Sequence, residues 1–406
     1  MPQKFKVVGV ADPIKKRRND IKLTQNIEDK YCVKSWQEIL SIPKFADIAV
    51  IATMDQQHLE PALKALEAGY DLLLEKPVAP TAEECAAIYK KAKELGRKVL
   101  VCHVLRYTSF FSSIKKLIDD GILGDIITIE HTEAVGNIHQ SHSYVRGLWR
   151  DSESSSFMLL AKCCHDLDIL QWLIGKDCKK IQSFGSLTYF KEENAPKGAP
   201  QRCTDGCPHA ESCYYNAIKL YYDDKENDWF RRAATKRPNP TDEDVMEALK
   251  TGEYGRCVFK CDNNVVDHQT VNMEFEGGIT ATLTMAAFNR GGRYIRIMGT
   301  KGELMADMRA DADKAFHFYD FATREFRYLK VDLPIQDDSI VSGHGGGDDG
   351  ILISLYDYIT NKIDAQNLSE IGISCKNHLL AFAAEEARLT NTVVDVTDYQ
   401  KKYMQN

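Results

Sequence analysis

Apolar residues fall along this chain in two regimes. Up to about Val104, short all-apolar runs alternate with stretches of helical period. Ile48 to Ala52 is nearly all apolar and carries no helical stripe, the mark of a strand covered on both faces of a parallel sheet. After the loop Met54 to His58, Leu59, Leu63 and Leu66 recur at helical spacing, Pro61 is tolerable only in a first turn, and Gly69 supplies a stop. The helix is therefore predicted to start near His58. Tyr70 to Leu74 is again a buried strand, and it delivers Glu75 and Lys76 at its C-terminal end, with Pro77 ending the pairing. Phe5 to Val10 reads as an earlier strand leading to Asp12, and Trp36 to Leu40 as a short helical segment. Thr81 to Gly96 reads as a helix opened by a capping box, Thr81 with Glu84, and Val99 to Val104 as a further buried strand. Strands alternating with helices of this length predict a doubly wound parallel sheet.

Past Phe110 to Asp120, an amphipathic helix stopped by Gly121, the pattern changes. Ile126 to His131, Val271 to Phe275, Ile279 to Met285, Tyr294 to Met298 and Phe316 to Phe318 have strand composition, with Gly277-Gly278 and Gly291-Gly292 as turns. Helix-like runs lie at Leu160 to Ile174 and Asn377 to Leu389, and Lys191 to Pro200 and Arg232 to Thr241 are polar, proline-containing loops. The expected organisation is two domains: 1–105 built on the parallel sheet, and 106–406 an α+β unit with an open, mainly antiparallel sheet. The 406 residues suffice for two cores.

Charge narrows the partners. A formal net charge of -7 gives no general electrostatic reason to bind nucleic acid or an anionic membrane. No apolar run approaches the ~20 residues of a membrane helix, and no charged-then-apolar leader opens the chain. A small-molecule partner and a cytoplasmic location are expected. Most of the twelve cysteines are scattered, some in core-like strands, which points to reduced thiols. Cys203, Cys207 and Cys213, followed by Cys257 and Cys261, are different: three spaced thiols and a C-x-x-x-C pair could supply thiolates to a structural zinc, with His209 as a further donor. An iron-sulfur cluster would use the same ligands, and free thiols in a reducing compartment are the plain alternative.

Ligands of open parallel sheets bind at the C-terminal edge of the strands, which is where Lys76 falls, with His103, Arg106 and Tyr107 just past the next strand. In a dinucleotide fold an acid ending the second strand accepts from the adenine ribose hydroxyls, and Asp12 occupies that place. The plain alternative is that Asp12 opens a turn with Pro13. No strand and G-x-G-x-x-G loop precede it to cradle a pyrophosphate. The expectation is a chain lacking that first strand, loop and helix. The other possibility is a reduced fold that no longer holds a dinucleotide well.

With IATMDQQHLEPALKALEAGYDLLLEKPVA, CHVLRY, CHDLDIL, GHGGGDDG and HLLAFAAEEARLT in view, the chain resembles the Gfo/Idh/MocA oxidoreductases, relatives of glucose-fructose oxidoreductase and inositol dehydrogenase. The resemblance spans most of the chain. It implies an N-terminal Rossmann-type domain and a C-terminal domain whose open sheet often packs on another subunit, hence a homo-oligomer. It implies NAD or NADP and hydride transfer to or from a carbon of a sugar, polyol or sugar derivative. Lys76 would contact substrate and nicotinamide ribose and assist proton transfer, Glu75, Thr53 and His58 would line the cofactor, and His165 would be the acid or base. Arg106, Lys162, Asp168 and His344 would contact or position the substrate. Many relatives carry Asp four residues before the motif histidine, where this chain has Ala161 beside Lys162. NAD is expected over NADP because Asp12 would repel a 2'-phosphate, although Lys15 to Arg18 could offset that. His139, His142, Trp149 and Arg150 sit in a polar loop that could line a sugar site. Two other classes stay open: a glycoside hydrolase that keeps NAD bound, and a non-catalytic binding protein. Lys76 could merely pair with Glu75, and His165 could be a core histidine.

Overall fold

Three consecutive leucines, Leu72 to Leu74, are all buried, which requires packing on both faces of their strand. The computed structural model describes residues 3–331 and 346–405. Its first strands, β1 (Val10–Ala11) and β2 (Cys32–Val33), form a parallel pair. The next three, β3 (Ile48–Ile51), β4 (Asp71–Leu74) and β5 (Val99–Val101), form a separate parallel sheet in that order. The strand expected from Phe5 is therefore short. β1 finds a partner on one side over two residues only, and a backbone gains nothing from extension where no ladder completes its hydrogen bonds. Val50, on the edge strand β3, is 62% exposed.

Helices cover β3 to β5 on two sides. Leu72 and Leu74 pack with residues of the helices Leu59–Glu67 and Ala82–Glu94, the latter capped by Thr81, whose hydroxyl accepts from the Glu84 N–H at 3.2 Å. Leu73 and Leu100 face the opposite side, against Ile351 and Leu355 of the helix Gly347–Ile359. That helix comes from the far end of the chain, as does Ile371–Thr390, which packs on both Ala82–Glu94 and the second sheet.

The second sheet has nine strands among the described residues: β6 (Ile126–Ala134), β7 (Cys178–Ser186), β8 (His268–Phe275), β9 (Thr280–Ala286), β10 (Gly292–Gly299), β11 (Gly302–Asp307), β12 (Phe316–Asp320), β13 (Glu325–Tyr328) and β14 (Val394–Asp395). Their order is β13-β12-β11-β10-β6-β9-β8-β7-β14, antiparallel except for β6 beside β9. Strict alternation decides which face is wet. Val271, Met273 and Phe275 of β8 and Ala281, Leu283 and Met285 of β9 point into one core under the helices Cys164–Ile174 and Ile371–Thr390. Threonines such as Thr128 and Thr280, hydroxyls 2.8 Å apart, lie on the other face. Between β7 and β8, residues 187–267 form an insertion with two small cores, to which Ile138, Val145 and Ala287 also contribute. No helix among the described residues is long and apolar enough to cross a membrane.

One buried ion pair ties the two sheets together. Arg106, just past β5, grips Asp168 of the helix Cys164–Ile174 in a fork, Nε to Oδ2 at 2.6 Å and Nη2 to Oδ1 at 2.7 Å. Asn377, on the helix that bridges both sheets, donates to the same carboxylate at 2.6 Å. Removing one partner strands the other charge in the core. Arg106→Leu or Asp168→Leu alone should therefore cost about 3–5 kcal/mol, and the double variant clearly less than the sum. Urea denaturation of the three variants checks this; additive losses would mean that the two groups do not act as a pair.

Candidate active site

The wall that β4 presents opens at its C-terminal end. Leu74 and Pro77 are buried, but Glu75 and Lys76 between them are half-buried. Lys76 Nζ donates to the carbonyl of Ala161 at 3.0 Å, crossing from the first sheet to the helical layer of the second. That bond explains a local departure from the sequence pattern. The run Leu160 to Ile174 is two helices, Met158–Ala161 and Cys164–Ile174, with Lys162 and Cys163 between them. The break places His165 in the first turn of the second helix, at the positive end of its dipole.

His165 is buried, and its Nδ1 is buried with no hydrogen-bond partner among the described residues. Burial, then the Lys76 charge and the neighbouring His103, hold its pKa well below the usual imidazole value. The group is a neutral ring beside an ammonium. His103 stands edge-on to it at 5.6 Å and packs against His378 at 5.2 Å. Burial brings His103 down to about 4 and His378 to about 3. The tautomer of His378 follows from its contacts: Nδ1–H donates to the Ser374 carbonyl at 2.7 Å, and Nε2 accepts from the Val78 N–H at 3.0 Å.

A charged cluster flanks this site. Arg293 on β10 reaches Asp166 at 2.8 Å and Glu133 on β6 at 2.7 Å; Lys162 lies 3.4 Å from Glu133, and His131 Nε2 lies 2.8 Å from Asp166. Against the upward push of burial, Arg293 and His131 keep the Asp166 carboxyl well down. Sequence reasoning passed over Glu133, His131, Asp166 and Arg293. One signal was available: His131 and Glu133 fall two apart on the inward face of β6, where alternation calls for apolar residues. His139 follows on the same segment, held down to about 3 by burial and by the charges of Lys162, His142, Arg293 and Lys76.

Other expected site residues lie elsewhere or have their donors engaged. Arg106 and Asp168, expected at the substrate, are spent on each other and fully buried. His58, expected to line the cofactor, is 1% exposed and sits between the carbonyls of Thr53 at 3.1 Å and Pro77 at 2.8 Å, so it braces the loop. Thr53 is half-buried at the end of β3, its hydroxyl donating to Gln57 O at 3.0 Å. Asp12 is half-buried past β1, and its Oδ1 accepts from the Ile14 N–H at 2.6 Å, the turn that Asp-Pro favours. Lys162 keeps a partly open ammonium beside Glu133. His142 is buried, stacked on Phe230 at 4.3 Å, and Arg150 pairs with Asp262 at 2.9 Å. His344 lies outside the described residues. Thr53, Glu75 and Lys76 are each half-buried at the C-terminal ends of β3 and β4.

The expected zinc centre is not supported. Among the described residues, no group of three or more His, Cys, Asp or Glu side chains could hold a metal ion. Cys203, Cys207, Cys213 and Cys257 do line one small cavity with His209. The Arg146 guanidinium enters it, however, 3.8 Å from Cys203 Sγ. Burial pushes the Cys213 and Cys257 thiols up and Cys261 to about 11, and Cys261 donates to the Cys257 carbonyl at 3.3 Å. A guanidinium this close repels a divalent cation.

Comparison with known proteins follows the same division. A family model described as an oxidoreductase family with an NAD-binding Rossmann fold matches residues 1–103, and its C-terminal alpha/beta domain matches 115–322. The first match begins at residue 1 and takes in β1 to β5. The oxidoreductase YteT of Bacillus subtilis (strain 168) is 22% identical over 347 residues, 80% of this chain and 78% of that protein. An inositol 2-dehydrogenase/D-chiro-inositol 3-dehydrogenase of Lactiplantibacillus plantarum is 27% identical over 41% of this chain, and the match spans only 45% of that enzyme. Among solved structures, a levoglucosan dehydrogenase in complex with NADH and L-sorbose superposes with a TM-score of 0.67 at 18% identity, covering 97% of this chain and 92% of that one, which bears on the fold.

The buried histidines make a prediction about pH. His103, His139, His142, His165 and His378 all have folded pKa values depressed below the unfolded value of about 6.5. Below that value the unfolded chain binds protons that the folded chain refuses. Stability should therefore fall as pH drops from 7 towards 4, with a slope of up to about 1.4 kcal/mol per pH unit for each such histidine. Asp166 and Asp168, also depressed, add to the loss only at lower pH. Urea midpoints at pH 7, 6 and 5 should decline, and His142→Phe should flatten the decline; a midpoint that is constant over this range would contradict it.

Proposed function

The chain belongs to the Gfo/Idh/MocA oxidoreductase family, and on that premise we propose that it is an NAD-dependent oxidoreductase that transfers hydride to or from a secondary alcohol carbon of a sugar, polyol or sugar derivative. The observation that carries the reading is the Lys76 ammonium anchored to the Ala161 carbonyl next to a neutral, buried His165. Oxidising an alcohol needs a base within reach of the hydroxyl proton and a positive group near the oxygen on which charge develops. His165 takes the proton at Nε2, and Lys76 stabilises the alkoxide. NAD, when bound, supplies the hydride acceptor. Thr53, Glu75 and Lys76 would hold its nicotinamide half and Asp12 its ribose, whose 2'-phosphorylated form the Asp12 carboxylate would repel.

The remaining residues support these two. The Arg106–Asp168 pair orients the helix that carries His165, and the Glu133–Arg293–Asp166 cluster keeps Lys162 at the rim, where its ammonium meets a substrate oxygen. The chain works in the cytoplasm and pairs with a second copy through the open face of the nine-stranded sheet.

Lys76→Ala should lower kcat by about 100- to 1000-fold, with NADH binding weakened far less because Thr53, Glu75 and Asp12 remain. His165→Ala should lower it by about 100- to 10,000-fold and remove the acid limb of the pH profile. Steady-state kinetics over a sugar and polyol panel, with calorimetry for NADH, gives both readings. Near-normal turnover in Lys76→Ala would defeat the assignment.

A further inference from the structure

The insertion 187–267 plays no part in the chemistry above, yet it sets one aromatic ring against His139. Its helix Asp228–Thr235 begins with Trp229 and Phe230, which point in different directions. Phe230 enters the small core with Ala217, Tyr221, Val245 and Leu249. Trp229 stays outside and is 55% exposed. Its indole is not loose. His142 packs against it at 4.6 Å, Phe230 at 5.1 Å, and His139 meets it at 88° and 5.9 Å.

His139 connects this ring to the catalytic groups. It lies on the segment that leaves β6 just after Glu133, the carboxylate paired with Lys162 and Arg293. Tyr144, 6.0 Å from His139, and Trp149, 6.3 Å beyond, pack against it from the core side. An exposed indole that is held by packing and adjoins a polar centre through His139 suits a flat ligand that has apolar C–H faces and polar edges. Pyranose rings have that character. A ring already fixed by packing loses little side-chain entropy when a ligand covers it.

We propose that Trp229 is the platform of a second sugar subsite, so that the substrate is a glycoside of at least two rings: one at Lys76 and His165, the next stacked on the indole. This rests on the sugar oxidoreductase reading and narrows it from free sugars and polyols to glycosides. The insertion then serves as the specificity element of the enzyme, and its half-buried thiols and the Arg146 that reaches it from the preceding segment serve to hold its shape.

The test uses the full chain saturated with NADH. Calorimetric titrations with methyl glucoside, galactoside and mannoside are compared with disaccharides that carry the same non-reducing sugar: cellobiose, lactose and mannobiose. For at least one pair the disaccharide should bind at least tenfold more tightly. Trp229→Ala should erase that advantage while leaving the methyl glycoside unchanged, and Trp229→Phe should keep part of it. Because the indole is exposed, the urea midpoint of Trp229→Ala should match wild type. Absence of binding by every disaccharide, equal affinity within every pair, or an advantage that survives in Trp229→Ala would overturn the proposal. Binding is scored without turnover, so a failure here stays distinct from a failure of Lys76→Ala to stop NADH formation, which bears on the oxidoreductase reading.

Discussion

The fork between Arg106 and Asp168 is the constraint on which the site depends. Two charges leave water entirely, a cost of several kcal/mol for each ion, and are repaid only by close geometry and complete hydrogen bonding. The repayment is visible. Two short bonds link the groups, Asn377 completes the carboxylate, and the guanidinium lies over the Trp172 ring at 5.5 Å. Because the three polar partners come from the end of the first sheet, the helix under the second and the bridging C-terminal helix, satisfying one carboxylate fixes three elements at once. His165 sits one turn before Asp168, so its place opposite Lys76 is a consequence of that fit.

The site is arranged to keep its histidines neutral. Burial is the main cause for each of them, and Lys76 adds to it for His165, His103, His139 and His378. Arg293 and Lys162 would make the region strongly positive if left alone, but Glu133 and Asp166 offset them. The outcome is a neutral base beside a cation, with carboxylates held behind it. That arrangement suits proton removal from an alcohol better than two protonated rings would.

Several residues have partners that the sequence did not reveal, for one physical reason: a polar type at a plausible position says nothing about which partner claims its hydrogen bonds. His58 was expected at the cofactor and braces a loop between two carbonyls. Asp168 and Arg106 were expected at the substrate and found each other. The five cysteines have spacing compatible with a metal, and four of them share a cavity, but the buried Arg146 among them could not be foreseen from a residue some sixty positions earlier in the chain.

Hydrophobic period and turn residues alone determined that the chain begins with strands and helices in alternation, that an open, mainly antiparallel sheet follows, and that Lys76 ends a buried strand. These are local properties, set by which faces must be apolar and where a helix can stop. Only the tertiary structure decided that the helices Gly347–Ile359 and Ile371–Thr390 return to the first sheet, that Lys76 crosses to Ala161, and that Trp229 stands beside His139. Those contacts join residues far apart in the chain, and they arise from the competition of many buried groups for few partners, which no local pattern encodes.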